Sequence, residues 1–230
     1  MRKIIEKITA FVTRTSPNGI DLLLFEHPNA GIQIPAGTVN PGETPAEATT
    51  REVAEETGLS DISISQYLGA HLEKLSKDQR VIAEHTKVYA RPNPASFDWA
   101  YIRPGITVSV ERSMEGYAQI CYKEFNRVPN PQYVSMSIKG WVPVAVLADR
   151  VRRHFYHLEF KGKSKDRWQK YADGHLFNPF WAPLNNLPGI IPPQDGWLVF
   201  LKKKFNINQD NRMPGEPGLS SQSSKGPHHD

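Results

Sequence analysis

The sequence predicts an α/β fold interrupted by a small β-barrel. Near the N-terminus, strand-like segments surround a helix with complete end signals. The middle of the chain is a run of short strands separated by Pro- and Gly-containing turns, with no helical period. Mixed strand and helix character then returns before a polar tail.

The first two strands read as IIEKITAFVTRT and DLLLFEHP, joined at Ser16-Pro17-Asn18-Gly19, where the Asn-Gly step favours a tight reversal. IQIPAGTV follows as a short extended segment interrupted by Pro35. A helix is then expected from Thr44. That residue suits the N-cap, Pro45 the first helical position, and Glu47 completes a Thr-x-x-Glu capping box; Gly58 supplies the stop. ISISQYLGAHL reads as another strand.

Between about Asp78 and Asp149 the strand candidates are TKVYARP, ITVSVER, YAQICYKEF and GWVPVAVL. VRRHFYHLEF, LFNPFWAPL and a helical DGWLVFLKKKF come next. From about Asn208 the chain is rich in Gly, Ser, Pro and Gln and is expected to be disordered. The expected division is residues 1–78, an insertion over 79–149, residues 150–207, and a tail over 208–230.

At 230 residues the chain can bury one substantial core, or one core and a small second module. Its one cysteine, Cys121, excludes an internal disulfide and is expected to act as a small buried hydrophobe. Glu6 and Lys7 interrupt what would have to be the apolar region of an export signal, and no apolar run is long enough to span a bilayer. A cytoplasmic protein with no membrane partner is the expectation. The net charge of +4 includes basic clusters at Arg150, Arg152 and Arg153, from Lys161 to Arg167, and at Lys202 to Lys204. Such clusters are more often solvated faces than nucleic-acid tracks, but they help to attract a phosphorylated ligand.

Three carboxylates crowd the end of the predicted helix. Glu52 lies three residues from Glu55 and four from Glu56, so all three can share one face. Like charges at these spacings cost roughly 0.2–0.5 kcal/mol per pair, and the helix's negative end adds ~0.3–1 kcal/mol each. Arg51 offsets part of this by reaching Glu47 or Glu55. A hard divalent cation such as Mg2+ or Mn2+ would offset the rest, because the donors are all oxygen. A solvated acidic face is the ordinary fate of such a cluster, and spacing alone does not choose between the two.

The wider pattern does choose. Gly37, Glu43 and then Arg51-Glu52-Val53-Ala54-Glu55-Glu56-Thr57-Gly58-Leu59 resemble the Nudix box at every defined position. At background frequencies a chance match has odds on the order of one in 10⁸ per starting point, so the resemblance outweighs the bland reading. It implies a Nudix-type α/β/α sandwich with a mixed sheet over roughly residues 1–78 and 151–207. It also implies metal-dependent hydrolysis of a phosphoanhydride in a nucleoside diphosphate linked to another group. By that resemblance Glu52, Glu55 and Glu56 hold Mg2+ or Mn2+, helped by the carbonyl of Gly37, while Arg51 and Glu43 orient the catalytic helix.

Strand alternation in VRRHFYHLEF puts Arg153, Phe155, His157 and Glu159 on one face. Arg153 is a candidate phosphate ligand; His157 and Glu159 are candidates to assist a metal or base. Trp168, Tyr171, Phe177 and Trp181 are candidates to stack a nucleobase or to pack the second half of the sheet. Asp166 and Asp173 are loop carboxylates available as further metal ligands.

The insertion resembles bacterial SH3-like domains in its Val-Tyr-Ala-Arg-Pro opening, its Pro-Gly-Ile-Thr-Val-Ser-Val strand and its closing Gly-Trp-Val followed by Leu147. NRVPNPQYVSMS enlarges its last hairpin. An insertion here is expected to overhang the cleft and narrow substrate choice, or to mediate a homodimer. The leading expectation is a hydrolase acting on a small nucleotide-type pyrophosphate. A Nudix-derived regulator that binds a ligand or protein without turnover is the alternative, as is an RNA-end pyrophosphohydrolase, for which the basic clusters would serve.

Overall fold

The computed structural model describes residues 3–172 and 174–205. Asp173 and the tail over 208–230 lie outside the described residues. The first sheet opens with β1 (Ile4–Ser16) and β2 (Gly19–His27), paired antiparallel, with Ser16 opposite Gly19. Gly19 has φ +122°, a conformation the tight reversal demands and glycine supplies. Pro35 separates β3 (Gly31–Gln33) from β4 (Ala36–Thr38), which pair with β2 and β1 respectively.

Helix α1 (Pro45–Thr57) has the expected ends. The Thr44 hydroxyl accepts from the Glu47 N–H at 3.2 Å, the Glu47 carboxylate accepts from the Thr44 N–H at 2.8 Å, and Gly58 closes the helix in the left-handed region at φ +77°. After α1 come β5 (Ile62–Lys74), the strands of a second sheet, then β13 (Arg150–Phe160), β14 (Lys170–Ala172), β15 (His175–Pro183) and α2 (Gln194–Phe205). The order across the first sheet is β14-β15-β2-β1-β13-β5, with β3 and β4 beside that path. The β1–β13 pair is parallel and the others are antiparallel, so the sheet is mixed.

A helix covers each face. Ala10, Val12, Leu23, Leu158, Phe160 and Trp181 pack with Val53 of α1. Phe11, Leu22, Leu24, Phe155, Phe180 and Ala182, mostly the alternate residues of the same strands, pack with Leu198 and Leu201 of α2. Burying about 25 cal/mol per Å² on both faces is what lets a β1 with so few exposed positions exist in water.

The second sheet comprises β6 (Gln79–Ile82), β7 (Thr86–Tyr89), β8 (Asp98–Ile102), β9 (Thr107–Met114), β10 (Tyr117–Phe125), β11 (Val134–Pro143) and β12 (Leu147–Ala148). Its bonded order is β12-β6-β9-β10-β11-β7-β8, and its own core includes Ile82, Val88, Ile102, Val108, Ile120 and Val142. The described pairings run as a linear series from β12 to β8. Cys121 is partly buried in β10 rather than fully enclosed. This sheet touches the first at separate points: the Gly105 carbonyl accepts from Lys7 Nζ at 2.8 Å, and the Val128 N–H donates to the Asn29 carbonyl at 2.6 Å. No described helix is long and apolar enough to cross a membrane.

Candidate active site

A cleft of about 600 Å³ opens where α1, β4, the N-terminal end of α2 and the second sheet meet. Gly37, Arg51, Glu52, Glu55 and Glu56 line one side of it. Glu52 is held against Gly37 so closely that a Cβ there would stand 1.9 Å from its carboxylate carbon. Arg51 organises the surrounding acids. Its Nε and Nη2 form a bidentate pair with Glu43 at 2.8 and 2.9 Å, Nη1 meets Glu52 at 2.9 Å and Glu55 at 3.0 Å, and Nη2 also donates to the Thr38 carbonyl at 3.1 Å. The guanidinium bond holds the Glu43 carboxyl below its usual range, and the same bond raises the pKa of Arg51. Glu47, the other expected partner of Arg51, is taken by the capping box.

The three helix carboxylates do not converge on one point. Glu52 and Glu55 both face the Arg51 guanidinium, and Glu56 accepts from the Ala36 N–H at 3.1 Å. Among the described residues no group of three or more His, Cys, Asp or Glu side chains is arranged to hold a metal ion. The physical reason is the reach of Arg51: one planar cation with five donors satisfies acids on several sides of itself.

Of the remaining candidates, Arg153 and Phe177 line the cleft. His157, Glu159, Trp168 and Trp181 do not. His157 is only 2% exposed and lies between the Thr13 hydroxyl, at 2.8 Å, and the ammonium of Lys204 on α2. Burial first, then Lys204, pushes its pKa down to about 4. Glu159 accepts from the Ser65 hydroxyl at 3.0 Å, on the far part of the same strand face. Alternation does align Arg153, Phe155 and His157, but α2 covers that face, and only the Arg153 end reaches the cleft. Trp168 donates from Nε1 to the Thr57 carbonyl at 2.7 Å, and buried Trp181 donates to the Ser164 hydroxyl at 2.8 Å, so both indoles brace the α1 side of the sheet. Tyr171 is exposed, and Asp166 pairs with Arg14.

Several cleft residues have no signal in the sequence reading. Phe25 stacks on Phe177 with ring centroids 4.8 Å apart, and the rings of His27 and His175 lie 4.8 Å apart beside them. Burial, with a further contribution from His175, lowers the pKa of His27. Lys7, Arg103, Gln194 and Trp197 also line the cleft. Lys7, beside Glu6 near the start of a strand that is otherwise mostly apolar as far as Val12, is the sequence feature that could have pointed here.

An acid-lined cleft beneath a capped helix on a mixed, two-sided sheet defines the class of site. Residues 6–99 match the family model described as NUDIX domain. The match includes all of β1 to α1 except the first residues of β1. Among solved structures, the chain is similar to the crystal structure of C. elegans Ap4A hydrolase, with 12% identity and a TM-score of 0.39 over 89% of this chain and 98% of that one. It is also similar to the E. coli dihydroneopterin triphosphate pyrophosphohydrolase, with 12% identity and a TM-score of 0.31 over 76% of this chain and 81% of that one. No curated protein matches the sequence.

Proposed function

We propose that the protein is a Nudix-type pyrophosphohydrolase that cleaves a phosphoanhydride bond in a nucleoside diphosphate linked to another moiety. The observation that carries this reading is the packing of Glu52 against Gly37 inside the cleft, with Arg51 and Glu43 bracing the helix from behind. The close approach sets the Glu52 carboxylate against β4 at Gly37, and the acids on this side of the cleft offer oxygen donors. By chemical type that donor set suits Mg2+ or Mn2+, and holding one would require Glu52 and Glu55 to turn from the Arg51 guanidinium. Glu52, Glu55, Glu56 and the Gly37 carbonyl are the residues that would hold such an ion. When bound, it would lower the pKa of a coordinated water and neutralise charge on the phosphoryl oxygens.

The protein's own contribution is placement. Arg51 ties α1 to Thr38 and Glu43, fixing the helix against β4. Glu52 and Glu56 both lie against β4, Glu52 at Gly37 and Glu56 at the Ala36 N–H, so the helix presents its acids to that strand. The Phe25–Phe177 stack supplies an apolar end for the organic part of a substrate. The separate core of the second sheet supports reading residues 79–149 as an inserted SH3-like module that shapes the cleft. A single cysteine supports a reducing, cytoplasmic setting.

The test is release of phosphate or nucleotide from a panel of nucleoside diphosphate derivatives, with Mg2+ and with Mn2+. Glu52→Gln and Glu56→Gln are each expected to lower kcat by about 10²–10⁴-fold while the circular dichroism spectrum is retained. Unchanged turnover in both variants overturns the assignment.

A further inference from the structure

The wall opposite the α1 carboxylates is cationic. Lys7 of β1 and Arg153 of β13 are direct register partners across the parallel strand pair, and both line the cleft. Arg103, from the turn between β8 and β9 of the second sheet, lines it with them. Like charges on neighbouring strand positions repel, so the pair needs an explanation of the same kind as the carboxylate helix.

The bonds these two side chains make within the protein are to neutral groups. Lys7 Nζ donates to the Gly105 carbonyl at 2.8 Å. Arg153 Nη1 donates to the Ile8 carbonyl at 3.0 Å and the Thr9 hydroxyl at 3.2 Å, and its guanidinium lies 3.9 Å from the centre of the Trp197 ring. Burial is the main cause that brings Lys7 down to about 8 and Arg153 down to about 10; Arg153 depresses Lys7 further, while the Glu73 carboxylate acts upward on both and Glu52 upward on Lys7. Two adjacent cations whose hydrogen bonds go to neutral groups, and which nearby carboxylates offset only in part, gain from a bound anion.

The second sheet takes part in this arrangement. Gly105 has φ +86°, and a Cβ there would come within 2.3 Å of the Thr38 hydroxyl, so the turn lies directly on β4 beside Gly37. Its carbonyl is the partner of the Lys7 ammonium. On the other side, the bond from Val128 to Asn29 ties the β10–β11 hairpin to the loop before β3. Anchored at both places, the sheet presents the Arg103 turn to the cleft as part of a fixed wall.

We propose that Lys7, Arg153 and Arg103 form a binding site for adjacent phosphates of the substrate, and that the inserted sheet supplies Arg103 and positions Lys7 through the Gly105 carbonyl. The substrate class is an organic compound bearing two or more linked phosphates, held between the cationic wall and the α1 carboxylates; this rests on the pyrophosphohydrolase reading. Arg103 is exposed beside the Pro104-Gly105 turn, so its replacement tests the insertion directly, with the circular dichroism spectrum checking the fold.

The experiment has two arms on the full chain. Calorimetric titration with inorganic pyrophosphate compares the wild type with Lys7→Met and Arg103→Gln. Steady-state kinetics then use the best diphosphate of the substrate panel. Each variant is expected to weaken pyrophosphate binding by about tenfold or more, and to raise KM to a similar extent with kcat within about threefold. No pyrophosphate binding by the wild type, or equal affinity in either variant, overturns the proposal. Pyrophosphate binding that depends on Lys7 and Arg103, without turnover of any panel compound, removes the hydrolase reading and leaves the phosphate site standing.

Discussion

The carboxylate of Glu52 occupies the space that any side chain at position 37 would need: a Cβ on Gly37 would lie 1.9 Å from Glu52 Cδ. The glycine is required by this contact and not by backbone torsion, because Gly37 is absent from the residues with positive φ. Gly37→Ala therefore pushes Glu52 out of its position or shifts β4. If Glu52 acts as the proposed hydrolase requires, a displacement on the order of 1 Å can cost about 10²-fold in rate, which is the expected fall in kcat. Wild-type turnover in Gly37→Ala would show that the packing has no catalytic meaning.

Arg51 and Glu43 form a bidentate ion pair, two parallel bonds at 2.8 and 2.9 Å with both side chains largely covered. Lysine keeps the charge but not the fork. Arg51→Lys is expected to lower the free energy of unfolding at pH 7 by about 1–2 kcal/mol, read from urea denaturation. The Glu43 contribution has a definite sign. Its folded pKa is below the unfolded value, so the stabilisation is complete above the ordinary carboxylate range and disappears as pH falls through the folded pKa. Glu43→Gln should lack that acid-side loss.

The α1 wall of the cleft was legible because its chemistry is local. The capping box, the glycine stop and the acids at spacings of three and four residues all lie within one short segment, and helix geometry alone relates them. Of the rest of the cleft, only Arg153 and Phe177 were candidates from the sequence. Lys7, Arg103, Arg153 and Trp197 are far apart in sequence, and they meet only through the parallel β1–β13 pairing, the docking of the second sheet and the packing of α2. Alternation aligned His157 with Arg153, but no pattern within a strand reveals which part of its face another element will cover. The aromatic candidates were divided by the same long-range packing. Phe177 reached the cleft, while the indoles of Trp168 and Trp181 found hydrogen-bond partners beneath α1.

The Trp168 indole satisfies a carbonyl at the C-terminal end of α1, donating to Thr57 at 2.7 Å. Carbonyls in that last turn have no partner within the helix. Trp168→Phe keeps most of the apolar surface and removes the donor. The expected result is a loss of about 1–2 kcal/mol in stability with KM unchanged within about twofold. A selective rise in KM with unaltered stability would instead return Trp168 to the substrate.

His157 gives the fold a pH dependence that can be isolated. A neutral ring, with its proton on Nε2, satisfies both the Thr13 hydroxyl and the Lys204 ammonium that donates to Nδ1; a protonated ring would set two cations against each other. Folding thus lowers its pKa from 6.5 to about 4. Between those values the unfolded chain binds more protons than the native one, so stability is complete above the unfolded pKa and falls as pH drops toward the folded one. From pH 7 to about pH 5 this single group should remove about 1–2 kcal/mol. His157→Gln retains a donor and an acceptor but does not titrate. Its denaturation midpoint should change less with pH over that interval than the wild type's, while the carboxylates, common to both proteins, contribute equally. Parallel midpoint curves for the two proteins would mean that folding leaves the proton affinity of His157 unchanged and that its place beside Lys204 is not the source of acid sensitivity.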